Sequence, residues 1–197
     1  MFETFVRHGS NAVLLVLAGI LAVLFGGGAL AFVPLAVVVG ALVFFVSEYT
    51  THRFLLHARP VRQPFVLGLQ HRLHYDHHRD PSDLRLLFLP LWFAVPVVVL
   101  YLAVAYAITR APGTSASALF GAVVALLYYE WVHYVAHVPF VPRTRFGRWI
   151  KKYHLLHHFK NERLWFGVTN PSMDVLGGTY RRSDQAPRSI STRILFR

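Results

Sequence analysis

The stretch that decides the fold is NAVLLVLAGILAVLFGGGALAFVPLAVVVGALVFFV, residues 11–46, which carries no charged side chain. One membrane helix needs about 20 apolar residues, so this stretch is too long for a single span. Consecutive glycines weaken a helix, and Gly26-Gly27-Gly28 therefore marks a break. We predict one membrane helix on each side of these glycines.

Two further apolar runs follow a polar stretch. They cover Leu84–Ile108, with prolines that membrane helices tolerate, and Ala116–Val138. The predicted fold is an all-α integral membrane protein with four transmembrane helices and a helical cap. We expect a single domain, residues 1–197, with helices at about 11–25, 29–47, 84–108 and 116–138, a cap at 48–83 and 139–182, and a flexible tail at 183–197.

The composition agrees with a membrane protein. Hydrophobic residues make up 55% and charged residues 15% of the chain, whereas soluble domains carry about 25% charged residues. The absence of cysteine excludes disulfides and thiolate metal sites. The net charge of +11 suits nucleic acid or anionic lipid. Since no nucleic-acid motif accompanies the charge, we predict a membrane partner and no nucleic acid.

The distribution of basic residues predicts the orientation. Four spans place the N-terminus, the central loop and the C-terminal segment on one side. Of the 20 lysines and arginines, only Arg110 lies in the two opposite turns. Because cytoplasmic loops carry an excess of lysine and arginine, we expect a multi-pass protein whose polar segments, and with them the helical cap, face the cytosol.

Histidines form four clusters, two spaced pairs and two H-x2-H-H motifs. Residues three and four apart share a helix face, so several imidazoles can point at one place. Imidazole ligates iron, copper and zinc, and ten imidazoles exceed the needs of one ion. We therefore predict that the cytosolic helical cap carries a histidine-rich dimetal site, with about five nitrogens on each metal. His8 and His71 remain outside the pattern. The predicted ligands are His52, His57, His74, His77, His78, His133, His137, His154, His157 and His158.

The motif set resembles the fatty acid hydroxylase/sterol desaturase superfamily of membrane diiron oxygenases. The resemblance rests on HRFLLH from residue 52, HYDHH from 74, HYVAH from 133 and HLLHH from 154, and covers about residues 45–180. The run from His74 through Pro81 and Asp83 to Pro90 is most similar to the fatty acid 2-hydroxylase branch.

This resemblance implies an O2-dependent monooxygenase that hydroxylates a lipid acyl chain at the 2-position. It implies two iron ions, which zinc could replace in a purified or recombinant preparation. Some family members carry a fused haem-binding electron-transfer domain that these residues lack. We therefore expect a separate electron donor, either ferredoxin-like or a small haem protein with its reductase.

Five further residues are candidates for the site. Glu48 and Glu130 lie one helical turn before a histidine, and a carboxylate in an apolar helix is costly unless it is paired. Each could accept the second N–H of a ligand, or could snorkel or cap a helix. We predict Tyr129 and Glu130 as catalytic residues that could line the substrate pocket, although a tyrosine is also common at a membrane interface. Asn170 and Asp174 are expected to orient a ligand or water, or to cap a turn.

Other functions remain open from these residues. A desaturase would use the same site, because a small shift of the substrate decides between hydroxylation and desaturation. A histidine-rich metal transporter would be expected to place ligands near the membrane midplane, whereas these histidines gather at one face. A bis-histidine haem protein would leave eight histidines unexplained. The basic segments 143–152 and 160–163 are either solvated, lipid-facing charge or a docking face for an acidic electron carrier.

Overall fold

A computed structural model describes residues 1–195. These residues form helices, turns and irregular segments and contain no β-strand, so the predicted all-α class is confirmed. Two short π-helical turns interrupt the α-helices, at His52–Leu56 and His71–Tyr75. The α-helices are α1 Phe2–Arg7, α2 Gly9–Gly26, α3 Pro34–Thr51, α4 Pro64–Gln70, α5 Asp76–Arg79, α6 Leu84–Leu87, α7 Leu91–Thr109, α8 Pro112–His137, α9 Arg145–Phe159 and α10 Ser172–Leu176.

Four helical segments are long and apolar enough to cross a membrane, as predicted, and the protein is a multi-pass membrane protein. They are Gly9–Gly26, Pro34–Leu56, Leu84–Thr109 and Pro112–His137. In the first three, about a fifth or less of the apolar window is buried within the protein, whereas 61% is buried in the fourth. The first three spans therefore leave most of their apolar surface to lipid.

Several helix boundaries differ from the sequence expectation by a few residues, and proline explains two of these differences. The second span begins at Pro34 instead of residue 29, because proline suits the first helical position and disrupts the interior. Gly28 precedes it with a φ of 73°, in the left-handed region. In the third span, Phe88 and Pro90 are extended and separate α6 from α7.

The chain divides into two compact units. The first consists of Met1–Phe45 and Leu89–Glu130. Its core is a cluster of buried side chains contributed by α2 and α8. These side chains are Leu14, Leu21, Ala116, Leu119, Val123 and Leu126.

Small residues bring α3 and α8 into backbone contact within this first unit. A Cβ at Gly40 would collide with the carbonyl oxygen of Ala118, and one at Gly121 would collide with that of Val37. The backbone N–H of Val33 also donates to the Ser117 hydroxyl at 3.0 Å. On α8 the small residues recur every fourth position, at Gly113, Ser117, Gly121 and Ala125. This is the spacing that lets membrane helices approach closely.

The second unit consists of Val46–Phe88 and the chain from Trp131 onward. It holds α9 and all ten predicted ligands. The interpretation of residues 1–197 as one domain stays a prediction, as does the flexible tail. In the structure, Ser183, Pro187, Ser189 and Thr192 of that tail form hydrogen bonds with Lys160, Asn161 and His78. Residues 196 and 197 lie outside the described part of the chain.

Candidate metal centre

The ten predicted histidine ligands gather in two groups of five. Within each group, the candidate ligand atoms all lie within 4.8 Å of one another. The rings of His78 and His158 stack with centroids 4.1 Å apart, so the groups adjoin. Group one is His52, His57, His74, His78 and His157, and group two is His77, His133, His137, His154 and His158.

Each H-x2-H-H motif contributes to both groups. The first and last histidines of a motif are four residues apart and enter the same group, whereas the middle histidine enters the other. Residues four apart share a helix face, but adjacent residues point about 100° apart. The three histidines of one motif therefore do not all point at the same place. The exchanged residues are His77 and His157.

A π-helical turn unites the first pair. His52 and His57 are five residues apart, and in an α-helix they would point about 140° away from each other. Here the His57 N–H donates to the His52 carbonyl at 3.0 Å, closing the wider turn of a π-helix. The five-residue spacing was the sequence signal for this turn.

Four ring nitrogens of group one are too close to be explained by hydrogen bonding alone. Nε2 of His74 lies 3.1 Å from Nε2 of His52 and 2.7 Å from that of His57. Nε2 of His57 also lies 3.0 Å from Nε2 of His157. A neutral imidazole nitrogen either carries one proton or accepts one. Three contacts along a chain of four such nitrogens therefore cannot all be hydrogen bonds.

Backbone carbonyls assign the tautomer of three of these ligands. The Nδ1 atoms of His52, His78 and His157 lie 2.5, 2.9 and 2.8 Å from the carbonyl oxygens of Phe166, Thr192 and Leu164. A carbonyl only accepts, so Nδ1 carries the proton and donates it. In a neutral ring, Nε2 then holds a lone pair, which faces the other ligands of group one.

The arrangement fits a bound cation. Two imidazole nitrogens at about 2.1 Å from one ion and at right angles lie about 3.0 Å apart. The closest Nε2 pairs of group two match this spacing, with His133 to His77 at 3.0 Å and His154 to His137 at 2.9 Å. Nε2 of His78 and both ring nitrogens of His158 are buried without a hydrogen-bond partner among residues 1–195. Converging lone pairs without donors are what a metal ion satisfies.

Burial keeps the cap histidines neutral and ready to bind metal. Desolvation lowers the pKa of His154, His157 and His158 well below the usual value, and repulsion from neighbouring imidazoles lowers it further. Burial likewise lowers the pKa of His78 to about 3, although its bond to the Thr192 carbonyl acts in the opposite direction. Metal ligation requires the unprotonated ring, so these environments favour it.

Glu48 hydrogen-bonds to the loop of residues 166–169, which in turn contacts a predicted histidine ligand. Its carboxylate accepts hydrogen bonds from the N–H groups of Val168 and Thr169 at 2.6 and 3.1 Å, and from the Thr169 hydroxyl at 2.6 Å. The same loop supplies the Phe166 carbonyl that binds His52. Glu48 therefore fixes the backbone that orients a ligand, and its predicted pairing with a histidine stays a prediction.

Asp174 secures the same loop from the other side and is completely buried. Its carboxylate accepts from the N–H groups of Phe166 and Gly167 at 2.8 and 2.7 Å. The hydroxyls of Thr179 and Tyr153 also donate to it, at 2.6 and 2.9 Å. Four donors on one carboxylate make this loop a rigid support for the Phe166 carbonyl, which accepts a hydrogen bond from His52.

Asn170 caps a turn: its side-chain oxygen accepts from the Ser172 N–H at 3.0 Å. Glu130 is buried and accepts from the Leu89 N–H at 3.2 Å, and Tyr129 packs edge-on against Phe44. Neither Tyr129 nor Glu130 belongs to a histidine group, and their catalytic roles stay predictions.

The two histidines left outside the pattern lie outside both groups. His71 is exposed, with Nδ1 3.1 Å from an Asp76 carboxylate oxygen. Nδ1 of His8 lies 2.8 Å from the Ser10 hydroxyl.

The groups that hold the predicted ligands in place were not among the residues predicted from the sequence. The carbonyl acceptors have no sequence signature, since every residue carries a carbonyl. Tyr153 directly precedes His154 and could have been suspected from that position. Lys151 donates to the carbonyls of Val135, Val138 and Phe140 at 2.8, 2.7 and 3.0 Å and so caps the end of α8.

Comparison with known proteins gives matching relatives. A family model described as fatty acid hydroxylase matches residues 37–179. The dihydroceramide fatty acyl 2-hydroxylase FAH2 of Arabidopsis thaliana is 33% identical over 148 residues, which are 75% of this chain and 61% of that protein. The ceramide very long chain fatty acid hydroxylase of Saccharomyces cerevisiae is 35% identical over 156 residues, 77% of this chain and 39% of that protein.

A solved structure has the same fold. It is described as full-length scs7p with only the hydroxylase domain visible, and it superposes with a TM-score of 0.74 at 28% identity. The match covers 90% of this chain and 66% of the other. The chain thus corresponds to a part of its longer relatives.

Proposed function

Because this chain belongs to the fatty acid hydroxylase family, we propose that it is a membrane-bound lipid hydroxylase acting at the 2-position of an acyl chain. The observation that carries the proposal is the pair of five-histidine groups, whose ring nitrogens converge at the spacing of metal ligands. The names of the relatives support the substrate class, since they include a fatty acyl 2-hydroxylase and a ceramide fatty acid hydroxylase.

We expect groups one and two each to hold one iron ion, and zinc to replace iron in some purified preparations. Five imidazoles leave an ion with an open position in a six-coordinate shell. When bound, iron supplies the activation of O2, by which one oxygen atom enters a C–H bond as a hydroxyl and the other leaves as water with two electrons and two protons.

The protein's own residues contribute positioning. The carbonyls of Phe166, Leu164 and Thr192 hold three imidazoles in the tautomer that presents Nε2. Glu48 and Asp174 hold the loop to which Phe166 belongs. A ligand set fixed in this way needs little rearrangement during the reaction, and this lowers the activation free energy.

A protein electron carrier with an acidic surface is the partner we propose for the reducing electrons. A cleft of about 440 Å³ lies along α9, and every ionisable residue that lines it is cationic. These residues are Arg148, Lys151, Lys152, Lys160 and Arg188. Such a uniform charge steers an acidic partner and favours its docking over that of a basic one.

We also propose that the histidine groups face the cytosol. The support is the distribution of charge: 19 of the 20 lysines and arginines lie on the side of the membrane shared by the histidine clusters.

Lipid analysis of a host that expresses the protein tests the proposed activity. We expect 2-hydroxy acyl chains with the wild type and none above background with His157→Ala, because His157 belongs to group one. His71→Ala is the matched control, since it removes an exposed histidine from outside both groups and should retain activity.

Other outcomes would redirect the proposal. New double bonds that depend on His157 would make the protein a desaturase. Absence of any new lipid, in a preparation with bound iron and a competent reductase, would contradict the catalytic proposal.

A further inference from the structure

The segment 187–192, here named the C-terminal strap, lies against the residues that follow α9. The Ser189 N–H donates to the Lys160 carbonyl at 2.8 Å, and the Asn161 side-chain amide donates to the Pro187 carbonyl at 3.1 Å. At its far end, the Thr192 carbonyl accepts from Nδ1 of His78 at 2.9 Å. The strap lies beyond residue 179, where the match to the family model ends.

Glu162 fastens the strap from inside the protein. Its side chain is buried, and one carboxylate oxygen accepts from the hydroxyls of Ser189 and Ser191 at 3.0 and 2.7 Å. Ile190, between the two serines, is fully exposed. Alternate residues of the strap therefore face Glu162 and solvent. A buried carboxylate is costly without donors, so the two hydroxyls hold the strap in one position.

The strap ends on a ligand at the junction of the two histidine groups. His78 belongs to group one and stacks on His158 of group two. Its hydrogen bond to the Thr192 carbonyl keeps the proton on Nδ1 and the lone pair on Nε2. This Nε2 atom has no hydrogen-bond partner among residues 1–195. Without this acceptor, the ring could rotate or exchange its tautomer.

We propose that the C-terminal strap is a positioning element of the metal centre, fastened by Glu162, Ser189 and Ser191, that orients His78 toward the metal of group one. The proposal rests on the proposed function only in that the histidine groups bind metal. Residues that orient metal-ligating histidines change metal affinity by about ten- to a hundredfold when they are removed.

Metal retention by the purified full-length protein tests the strap. The protein is loaded with Zn²⁺ or Fe²⁺, exposed to a graded chelator, and its metal content per chain is measured. We expect Ser189→Ala/Ser191→Ala to lose one of two ions at about tenfold lower chelator concentration than the wild type. Ile190→Ala, a matched change on the exposed side of the strap, and Ser191→Thr, which keeps the hydroxyl, should retain both ions.

The comparison with His78→Ala identifies the affected site. We expect His78→Ala to lose the same ion, and the combined variant to show no further loss, because the strap acts through this one ring. Equal metal retention in Ser189→Ala/Ser191→Ala and the wild type would contradict the proposed positioning role of the strap. Simultaneous loss of both ions with a collapsed melting temperature would make it a folding element instead. If the wild type itself bound no metal, the proposed function would fail, which is a distinct result.

Discussion

At the scale of the residue, the group that contacts Nδ1 of a histidine decides which ring nitrogen carries the proton. A carbonyl at Nδ1 fixes the proton on that side and presents Nε2 to the group, as the Leu164 carbonyl does for His157. The ring is buried, and its pKa is lowered by desolvation and by neighbouring imidazoles. In the metal-free protein these buried histidines therefore stay neutral, and the folded state is less stable in acid.

We predict that the metal-free protein loses stability as the pH falls below about 6.5, where histidines of the unfolded chain take up protons. The folded-state pKa values of His154, His157 and His158 are lower, so the unfolded state binds more protons in this range and is favoured. Each such histidine contributes up to about 1.4 kcal/mol per pH unit. Melting temperatures after chelation, at pH 7.5 and 5.5, measure the effect.

A variant separates this effect from general acid sensitivity. Replacing His157 and His158 by phenylalanine removes two of the titrating groups, so the melting temperature should fall less between the two pH values. A wild-type melting temperature that is the same at both values would contradict the prediction.

At the scale of the element, the close packing of α3 and α8 should be sensitive to a single methyl group. We predict that Gly121→Ala destabilises the protein by about 1–3 kcal/mol, because its Cβ would overlap the Val37 carbonyl and force the helices apart. Gly19→Ala on α2 is the matched control, since a Cβ there meets nothing within 4 Å. Thermal unfolding in detergent compares them, and equal melting temperatures would argue against tight packing.

Much of this architecture could be predicted from the sequence, since the spans follow from apolar length and the ten histidines from their clustering. The sequence does not reveal that α3 begins at Pro34, five residues after the predicted start, because residues 29–33 are as apolar as the helix itself. The exchange of His77 and His157 depends on helix orientations that spacing within one motif does not encode. The carbonyl acceptors and Glu162 depend on tertiary contacts, which local patterns do not specify.

At the scale of the whole molecule, the orientation in the membrane can be tested with single cysteines, because the chain has none of its own. Ala29 lies in the turn between α2 and α3, and Arg62 lies in the central polar segment; both are exposed. We predict that a membrane-impermeant maleimide labels Ala29→Cys but not Arg62→Cys in intact spheroplasts. Both should react after lysis, and the reverse pattern would place the histidine groups outside the cytosol.

The cationic cleft should govern the reaction with the electron carrier. We predict that Lys152→Glu/Arg188→Glu raises the KM for an acidic reduced carrier about tenfold at low ionic strength, with the difference shrinking as salt is added. Arg59→Glu/Arg62→Glu makes the same change in net charge at exposed positions that do not line the cleft. Steady-state kinetics measure the KM of both double variants. An equal increase of KM in the two would show that the carrier does not dock at the cleft.

The exchange of histidines between motifs also governs when the centre can form during synthesis. Group one needs His157, and group two needs His154 and His158, all in α9, which follows the fourth membrane span. When only the first three histidine clusters have left the ribosome, the nascent chain contains four imidazoles of group one and three of group two. Neither set is complete until α9 leaves the ribosome. The order of the sequence therefore delays assembly of both complete centres until all four spans have been translated.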